Sequence, residues 1–349
     1  MRSESQIDAA LSSLPKSLQE TYQRALDKVL EEDKVYLRQS MLWLTWSLEL
    51  LDISTLVDAI VLQPGMTKFD TSARLSNPEE LLEICGTFAV IQRDPRYKDN
   101  VQHISLAHHS VRDFFSKGLK QDSEFKLPPK SSHRELAVLC LTYLLLPQWA
   151  DLVASGEVRA TEEISRNNLL QYAACSWPKH VLESGDEVGV LPLINRIMTP
   201  APNSSFHFWI RIIVHCSTRN FHPNHKPQPL YYAVSYGLEE TVKLLISQGA
   251  DINARAGGFG STPFHAACYR RHPELVRLLL DEGCDPRILD NHQQSAVELA
   301  AWGRDPEVAK VFLEKADSAI FDDGNWTVDQ YRENFATIAQ GRKSRSPRR

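Results

Sequence analysis

Three stretches in the second half of the chain decide the reading: QPLYYAVSYGLEETVKLLISQGADINA (228–254), TPFHAACYRRHPELVRLLLDEGCDPRI (262–288) and SAVELAAWGRDPEVAKVFLEKA (295–316). Pro229 aligns with Pro263 and Ala296 at spacings of 34 and 33, and Gly249-Ala250-Asp251 returns 34 residues later as Gly283-Cys284-Asp285. Self-similarity at such a period marks a stack in which each unit buries its apolar face against its neighbours. Pro263 fits the first turn of a helix, where a missing N–H is no loss, and Thr262 can cap that turn. Ala233, Ala266, Ala267, Ala300 and Ala301 are small enough to let neighbouring helices approach closely. The second helix of each unit carries an apolar stripe: Val242, Leu244, Leu245 and Ile246, then Val276, Leu278, Leu279 and Leu280, then Val308, Val311, Phe312 and Leu313. Gly249 and Gly283 close the first two stripes, where a left-handed residue ends a helix.

A period of about 33 carrying the pattern T-P-L-H-x-A is the ankyrin signature, and Thr262-Pro263-Phe264-His265-Ala266-Ala267 resembles it closely. Residues 226–316 are therefore identified as about three ankyrin repeats. The resemblance implies an α-solenoid that binds protein partners through its concave face and fingertip loops, without turnover. The first unit departs from the pattern with Gln228-Pro229-Leu230-Tyr231, and the third with Ser295-Ala296-Val297-Glu298 and no Gly-Ala-Asp ending. Atypical terminal units are expected where a stack meets water. Three repeats are about the minimum for a stable stack, so upstream helices are expected to cap it. Gly257-Gly258-Phe259-Gly260 lacks the strand-before, helix-after context of a phosphate loop and reads as a fingertip turn. His265 reads as a hydrogen-bonding repeat residue. Repeat geometry places Arg255, Phe259, Arg270, Arg271, Arg287 and His292 at exposed tips and turns, and these are the expected partner contacts.

The bulk properties constrain the rest. The 349 residues suffice for two or three domains. A net charge of −5 offers no electrostatic footprint for nucleic acid or an anionic membrane. Cys85, Cys140, Cys175, Cys216, Cys268 and Cys284 include no pair at zinc-knuckle or redox spacing, and read as buried, reduced thiols of an intracellular protein. MRSESQIDAALSSLPKS has no apolar core of the kind a secretory signal needs. The apolar run Leu136–Leu146 is too short to span a bilayer and reads as a buried helix. The expected location is cytoplasmic.

Upstream, Ser17-Leu18-Gln19-Glu20 reads as a capping box opening a helix with a face of Leu18, Tyr22, Ala25, Leu26 and Val29. A second helix runs through Leu37, Met41, Leu44 and Leu48. Ser54 is placed to cap a short helix holding Leu56, Val57 and Ile60; Asn77-Pro78-Glu79-Glu80 opens another that Gly86 ends. Phe88–Ile91 and Val101–Leu106 read as a hairpin around a polar turn, and Ser110-Val111-Arg112-Asp113 caps a further helix. Helices followed by such a hairpin point to a winged helix.

LPKSLQETYQRALDKV (14–29), LLEICGTFAVIQ (81–92) and ISLAHHSVRDFF (104–115) resemble the winged-helix segment that follows the NACHT module of fungal NOD-like receptors. That segment is sometimes labelled after a GPI inositol-deacylase, a name that implies no activity here. LLQYAACSWPKHV (169–181) resembles the stretch that usually precedes the ankyrin repeats of those receptors. No G-x-x-x-x-G-K-[ST] loop occurs in the chain, so ATP-driven switching is not carried over by the resemblance. The alternative reading is a regulatory switch module acting with a NACHT ATPase segment absent from this chain. A nuclear, DNA-associated factor is a third reading, disfavoured because STLVDAIVL (54–62) has no basic residue and PEELLEIC (78–85) is acidic.

Other candidate chemistry falls away. His103, His108 and His109 lie near Ser110 and Asp113, yet no G-x-S-x-G elbow accompanies them, and capping or packing is the better reading. His207, His215, His222 and His225 have no defensible ligand spacing. FHFWI (206–210) reads as helix core under the stack, and GRKSRSPRR (341–349) as a basic disordered tail that opens a nuclear location as the alternative to a cytoplasmic one. The expectation is a mainly α chain: the end of a NACHT-like module or a linker at 1–13, a winged-helix domain with a small β-hairpin at 14–120, a helical connector at 121–225, repeats at 226–316 and an extension with the basic tail at 317–349. It is a non-catalytic interaction scaffold with no cofactor, no metal, no membrane contact and no small-molecule substrate.

Overall fold

Each repeat folds as a pair of short helices whose first members pack on one another in chain order. The computed structural model describes residues 17–75, 77–93, 102–149, 152, 157–201, 204–217, 226–315 and 327–341. The polar turn at 94–100, the segment 1–13, His222, His225 and all of the basic tail but Gly341 lie outside these residues. The chain divides into two units by its own contacts: residues 1–146 with 165–176, and residues 147–164 with 177–349.

In the first unit, α1 (Leu18–Leu26) and α2 (Lys34–Trp46) precede β1 (Leu51–Asp52), α3 (Ile53–Ala59) and α4 (Pro78–Cys85). The strands β2 (Ala89–Arg93) and β3 (Gln102–Leu106) then pair antiparallel, with Ala89 opposite Leu106. The expected hairpin gains a third strand, because Leu51 pairs with Ile104 and gives the order β1-β3-β2. Two residues were too short a strand to show a period in the sequence. Helices α5 (His109–Asp113) and α6 (Pro129–Leu144) follow. Leu37, Met41, Leu56, Leu81, Phe88 and Ile104 are buried, as are Leu136, Leu139 and Cys140 of the apolar run.

Ser17 caps α1 by accepting the Glu20 N–H at 3.1 Å, and Asn77 and Gly86 bound α4 as read. Two caps differ. Asp52, not Ser54, caps α3 by accepting the Thr55 N–H at 2.8 Å, while the Ser54 hydroxyl binds the same carboxylate. His108, not Ser110, caps α5 through its ring nitrogen. Leu48 lies beyond the end of α2, which stops at Trp46. Among the cysteines, Cys175 is exposed and Cys216 half-buried, contrary to a uniformly buried set; the other four are buried.

The second unit contains the repeats. The described helices α7 (Glu157–Arg166) and α8 (Asn168–Ser184), of which residues 165–176 belong to the first unit, precede α9 (Glu187–Met198) and α10 (Ser205–Cys216) in the chain. The three repeats are α11 (Pro229–Tyr236) with α12 (Glu239–Ser247), α13 (Pro263–Arg270) with α14 (Pro273–Asp281), and α15 (Ala296–Gly303) with α16 (Pro306–Lys315). Ala233, Ala267, Ala300 and Ala301 are buried at the seam between first helices. On the second helices Val242, Leu245, Val276, Leu279, Val308 and Phe312 are buried, but Leu313 is 40% exposed and belongs to the outer face.

Both ends of the stack are closed by helices of the same unit. Upstream, α9 packs on α12. Leu238, which precedes α12, has no side chain able to cap it. Glu187 of α9 supplies the cap instead: the Thr241 N–H and hydroxyl donate to Oε1 at 2.7 and 2.6 Å, and the Glu240 N–H to Oε2 at 3.2 Å. Phe206, Phe208, Trp209 and Ile210 of α10 are buried, as expected, with Trp209 tilted against Trp177 at 5.3 Å and Tyr236 at 5.8 Å. Downstream, α17 (Val328–Ala339) packs on α16, stacking Phe335 on Phe312 at 4.9 Å. The sequence reading had assigned no helix there. The signal was present: Thr327 and Gln330 form a reciprocal capping box, and Tyr331, Phe335 and Ile338 recur at helical spacing.

The first helices end in left-handed residues at equivalent places: Gly237 (φ 76°), Arg271 (φ 62°) and Arg304 (φ 52°). Gly249 and Gly283 end the second helices of the first two repeats, at φ 84° and 80°. Of the three helix-ending glycines 237, 249 and 283, only Gly237 is also crowded, since a methyl there would meet the His272 ring at 2.9 Å, whereas one at Gly249 would meet nothing within 4 Å. No helix among the described residues is long and apolar enough to cross a membrane.

Two substitutions test this anatomy by urea unfolding. Gly237→Ala combines left-handed strain with a clash and is expected to destabilise by at least about 2 kcal/mol, against about 1 kcal/mol for Gly249→Ala. Equal effects would refute the His272 contact. Glu187→Ala leaves the α12 N-terminus without its cap and is expected to lose about 1–2 kcal/mol; an unchanged midpoint would show that α9 is not what closes the stack.

Candidate interaction groove

The repeats enclose a groove of about 730 Å³. Its floor is Tyr231, Tyr232, Ser235 and Tyr236 of α11, then His265, Ala266, Tyr269 and Arg270 of α13, then Leu299 of α15. Ile213, Val214 and Ser217 at the end of α10 close one end, and the fingertips supply Phe259, Ser261, Asp290, His292 and Gln294. Repeat geometry explains the alignment: Tyr231 and His265 are both two residues past the helix-opening proline, and Tyr236 and Arg270 both end their helices.

Of the six expected contacts, Phe259, Arg270 and His292 line this groove together, with the Phe259 and His292 rings 5.0 Å apart. Phe259 is 44% exposed. The Arg270 guanidinium lies 5.6 Å from the centre of the Tyr269 ring, an attraction between a cation and a π face. The other three are not among its lining residues. Arg255 is exposed, but its guanidinium ties two fingertips together, donating to the carbonyls of Gly260 at 2.8 Å and Leu289 at 2.6 Å. Arg271 is the left-handed end of α13, and Arg287 pairs with Asp285 at 3.0 Å.

Sequence reasoning missed the tyrosines. Tyr269 is 60% exposed, while Tyr232 is buried and Tyr231 and Tyr236 are half-buried. Burial pushes the Tyr231 and Tyr232 phenols up, so they stay protonated. Their signal was positional: in PLYYAVSY the aromatics occupy the concave face of a first helix, where the second repeat has His265, Tyr269 and Arg270.

His265 fixes the groove wall. Its Nδ1 accepts from the Thr262 hydroxyl at 2.8 Å and the Thr262 N–H at 3.3 Å, and its Nε2–H donates to the Gln294 carbonyl at 3.1 Å. That pattern uses the neutral ring, with the proton on Nε2 assigned from the hydrogen bonds. Burial lowers its pKa; the Gln294 carbonyl and nearby Asp290 oppose that, and Arg255 adds to it. Asp290 is itself only 3% exposed, and one of its oxygens accepts the N–H of both His292 and Gln294.

In the first unit, the Ser110 hydroxyl lies 2.8 Å from the His108 Nδ1 and 2.9 Å from the Tyr22 hydroxyl. His108 Nδ1 also accepts the Ser110 N–H, the geometry of a helix cap. Among the described residues no group of three or more His, Cys, Asp or Glu side chains is placed to hold a metal ion.

Because His265 is held neutral, the folded state binds fewer protons than the unfolded one near neutrality. Its contribution is complete above the ordinary imidazole value of 6.5 and is lost as pH falls from there through the lowered value. His272, also lowered by burial, acts in the same direction. The melting temperature is expected to fall between about pH 7.5 and about pH 5.5, with a shallower slope in His265→Gln. Identical slopes in the two proteins would exclude His265 as the source.

The ankyrin-repeat family matches residues 230–322 as three copies. The chain is 29% identical over 304 residues to azaphilone pigments biosynthesis cluster protein L of Monascus ruber, covering 81% of this chain and 63% of that protein. It is 45% identical over 138 residues to the BTB/POZ domain and ankyrin repeat-containing protein NBCL of Lupinus angustifolius, covering 39% and 27%. A further match, 35% identical over 83 residues and covering 24% and 12%, is to the BRCA1-associated RING domain protein 1 of Caenorhabditis elegans. The chain thus spans less than two thirds of the length of each of these relatives. Its C-terminal region carries ankyrin repeats.

Proposed function

We propose that the chain is a non-catalytic scaffold that recognises a protein partner in the groove of its ankyrin stack. The observation that carries this reading is the groove itself: aromatic side chains and the Arg270 guanidinium converge on a preformed concave surface. A stiff stack that presents these groups at fixed spacing loses little entropy on binding. Phe259, Arg270 and His292 form the centre of the proposed contact set, with Arg255, Arg271 and Arg287 around it.

The wider setting we propose is a cytoplasmic signalling protein resembling the C-terminal half of a fungal NOD-like receptor. The match to a fungal protein extends well beyond the repeats, over 304 residues, which is consistent with a fungal setting. The β1-β3-β2 sheet, with α2 before β1 and α3 and α4 between β1 and β2, supports a winged helix at 14–120, followed by a connector at 121–225 and repeats at 226–316. The acidic α4 favours packing against protein over reading DNA.

The test is affinity capture from native lysate with the intact chain and with a Phe259→Ala, Tyr269→Ala, Arg270→Glu triple variant. All three side chains are exposed, so the variant is expected to melt as cooperatively as the parent. Partners held by the parent and lost by the variant identify the groove as the working surface. Capture of one and the same set by both proteins moves the binding surface elsewhere on the chain.

A further inference from the structure

Resting on the groove as the binding surface, we infer that its ligand is an extended, proline-rich peptide segment carrying an acidic residue. The first argument is the state of the hydrogen-bonding groups. Several fingertip carbonyls beside the groove already accept hydrogen bonds. Phe259 O accepts the Asn291 N–H at 2.8 Å, Ser261 O accepts the Ala256 N–H at 2.9 Å, and Gln294 O accepts from both the Asp290 N–H and the His265 ring. Arg255 occupies the carbonyls of Gly260 and Leu289. A peptide that needs acceptors for a row of backbone N–H groups, as an added β-strand does, meets carbonyls that already accept and offers them a second, competing donor. A proline-rich segment lacks those N–H groups and presents solvated carbonyls along a polyproline II helix.

The groove offers what such a segment takes: donors and flat apolar faces. Tyr269, 60% exposed, combines a ring against which a pyrrolidine packs with a phenol able to donate to a carbonyl, and the exposed Phe259 ring adds a second flat face, the chemistry by which aromatic-lined grooves hold polyproline II ligands. The second argument is charge. Arg270 is exposed at the end of α13, and among the described residues no carboxylate forms an ion pair with it. Asp290, the one carboxylate lining the groove, is buried and committed to backbone donors. The accessible charge is positive, so the complementary ligand carries a carboxylate.

The probe is a fluorescein-labelled proline-rich dodecapeptide containing two glutamates, titrated into the full-length chain and followed by fluorescence anisotropy. Saturable binding is expected. Replacing the prolines by alanine at constant charge, or the glutamates by lysine, is expected to weaken it by about tenfold or more. Arg270→Glu is expected to abolish the preference for glutamate over lysine. Tyr269→Phe, which removes a donor and keeps the ring, is expected to weaken binding severalfold without shifting the melting curve. Absence of binding, indifference to the prolines, or an unchanged charge preference in Arg270→Glu overturns the inference. If the alanine-substituted acidic peptide binds as tightly and still loses affinity in Tyr269→Ala, the ligand class is wrong and the groove stands. If peptides bind equally well to the parent, to Arg270→Glu and to Tyr269→Ala, the groove falls with it.

Discussion

Everything in the repeat region depends on how closely α11, α13 and α15 approach one another. Alanines at 233, 267, 300 and 301 are buried there, and a larger residue at any of them overpacks a seam that has no slack. Close approach sets the spacing of the concave side chains, so the same alanines that build the core also fix where Tyr231, Tyr269 and Arg270 stand. Positions two residues past each helix-opening proline show how this works. His265 there is locked by Thr262 on its own helix and by Gln294 in the next fingertip, so one ring joins two repeats.

A solenoid has ends, and its ends expose apolar faces unless something covers them. Here the covers are made by different physics. Upstream, a carboxylate from Glu187 satisfies the orphan N–H groups of α12, a charge-assisted cap delivered from a neighbouring helix. Downstream, Phe335 stacks in parallel on Phe312, and Tyr331 stacks on Phe335 in turn. The first device fixes register through directional bonds, while the second buries area.

Where the sequence was legible, a period made it so. The three helix pairs and the turns at Gly249 and Gly283 were visible because each repeats at a spacing of 33 or 34. The first-helix ends were not visible, because Gly237 is followed at equivalent positions by Arg271 and Arg304, which carry no left-handed signature although all three have positive φ. Arg271 therefore read as an exposed contact. Strand β1 was hidden by its length of two residues, and the cap of α3 was placed on Ser54 although Asp52, two residues earlier, accepts the Thr55 N–H. Exposed and buried aromatics look alike in one dimension, which is why the tyrosines of the groove floor were assigned no role while Phe259 and His292, in fingertip loops, were picked out.

Arg255 and Arg270 illustrate why exposure alone does not identify a contact residue. Both are exposed arginines near the groove. Arg255 spends its donors on carbonyls of two successive fingertips, so its substitution would loosen the rim before it touched any ligand. Among the described residues Arg270 forms no ion pair, and its guanidinium lies over the Tyr269 ring, an attraction that orients it without consuming its N–H donors. Preorganisation and availability usually compete, because the bonds that fix a side chain also consume it. A cation resting on an aromatic face escapes that trade, since its orientation comes from the ring and its hydrogen-bonding capacity remains for the partner.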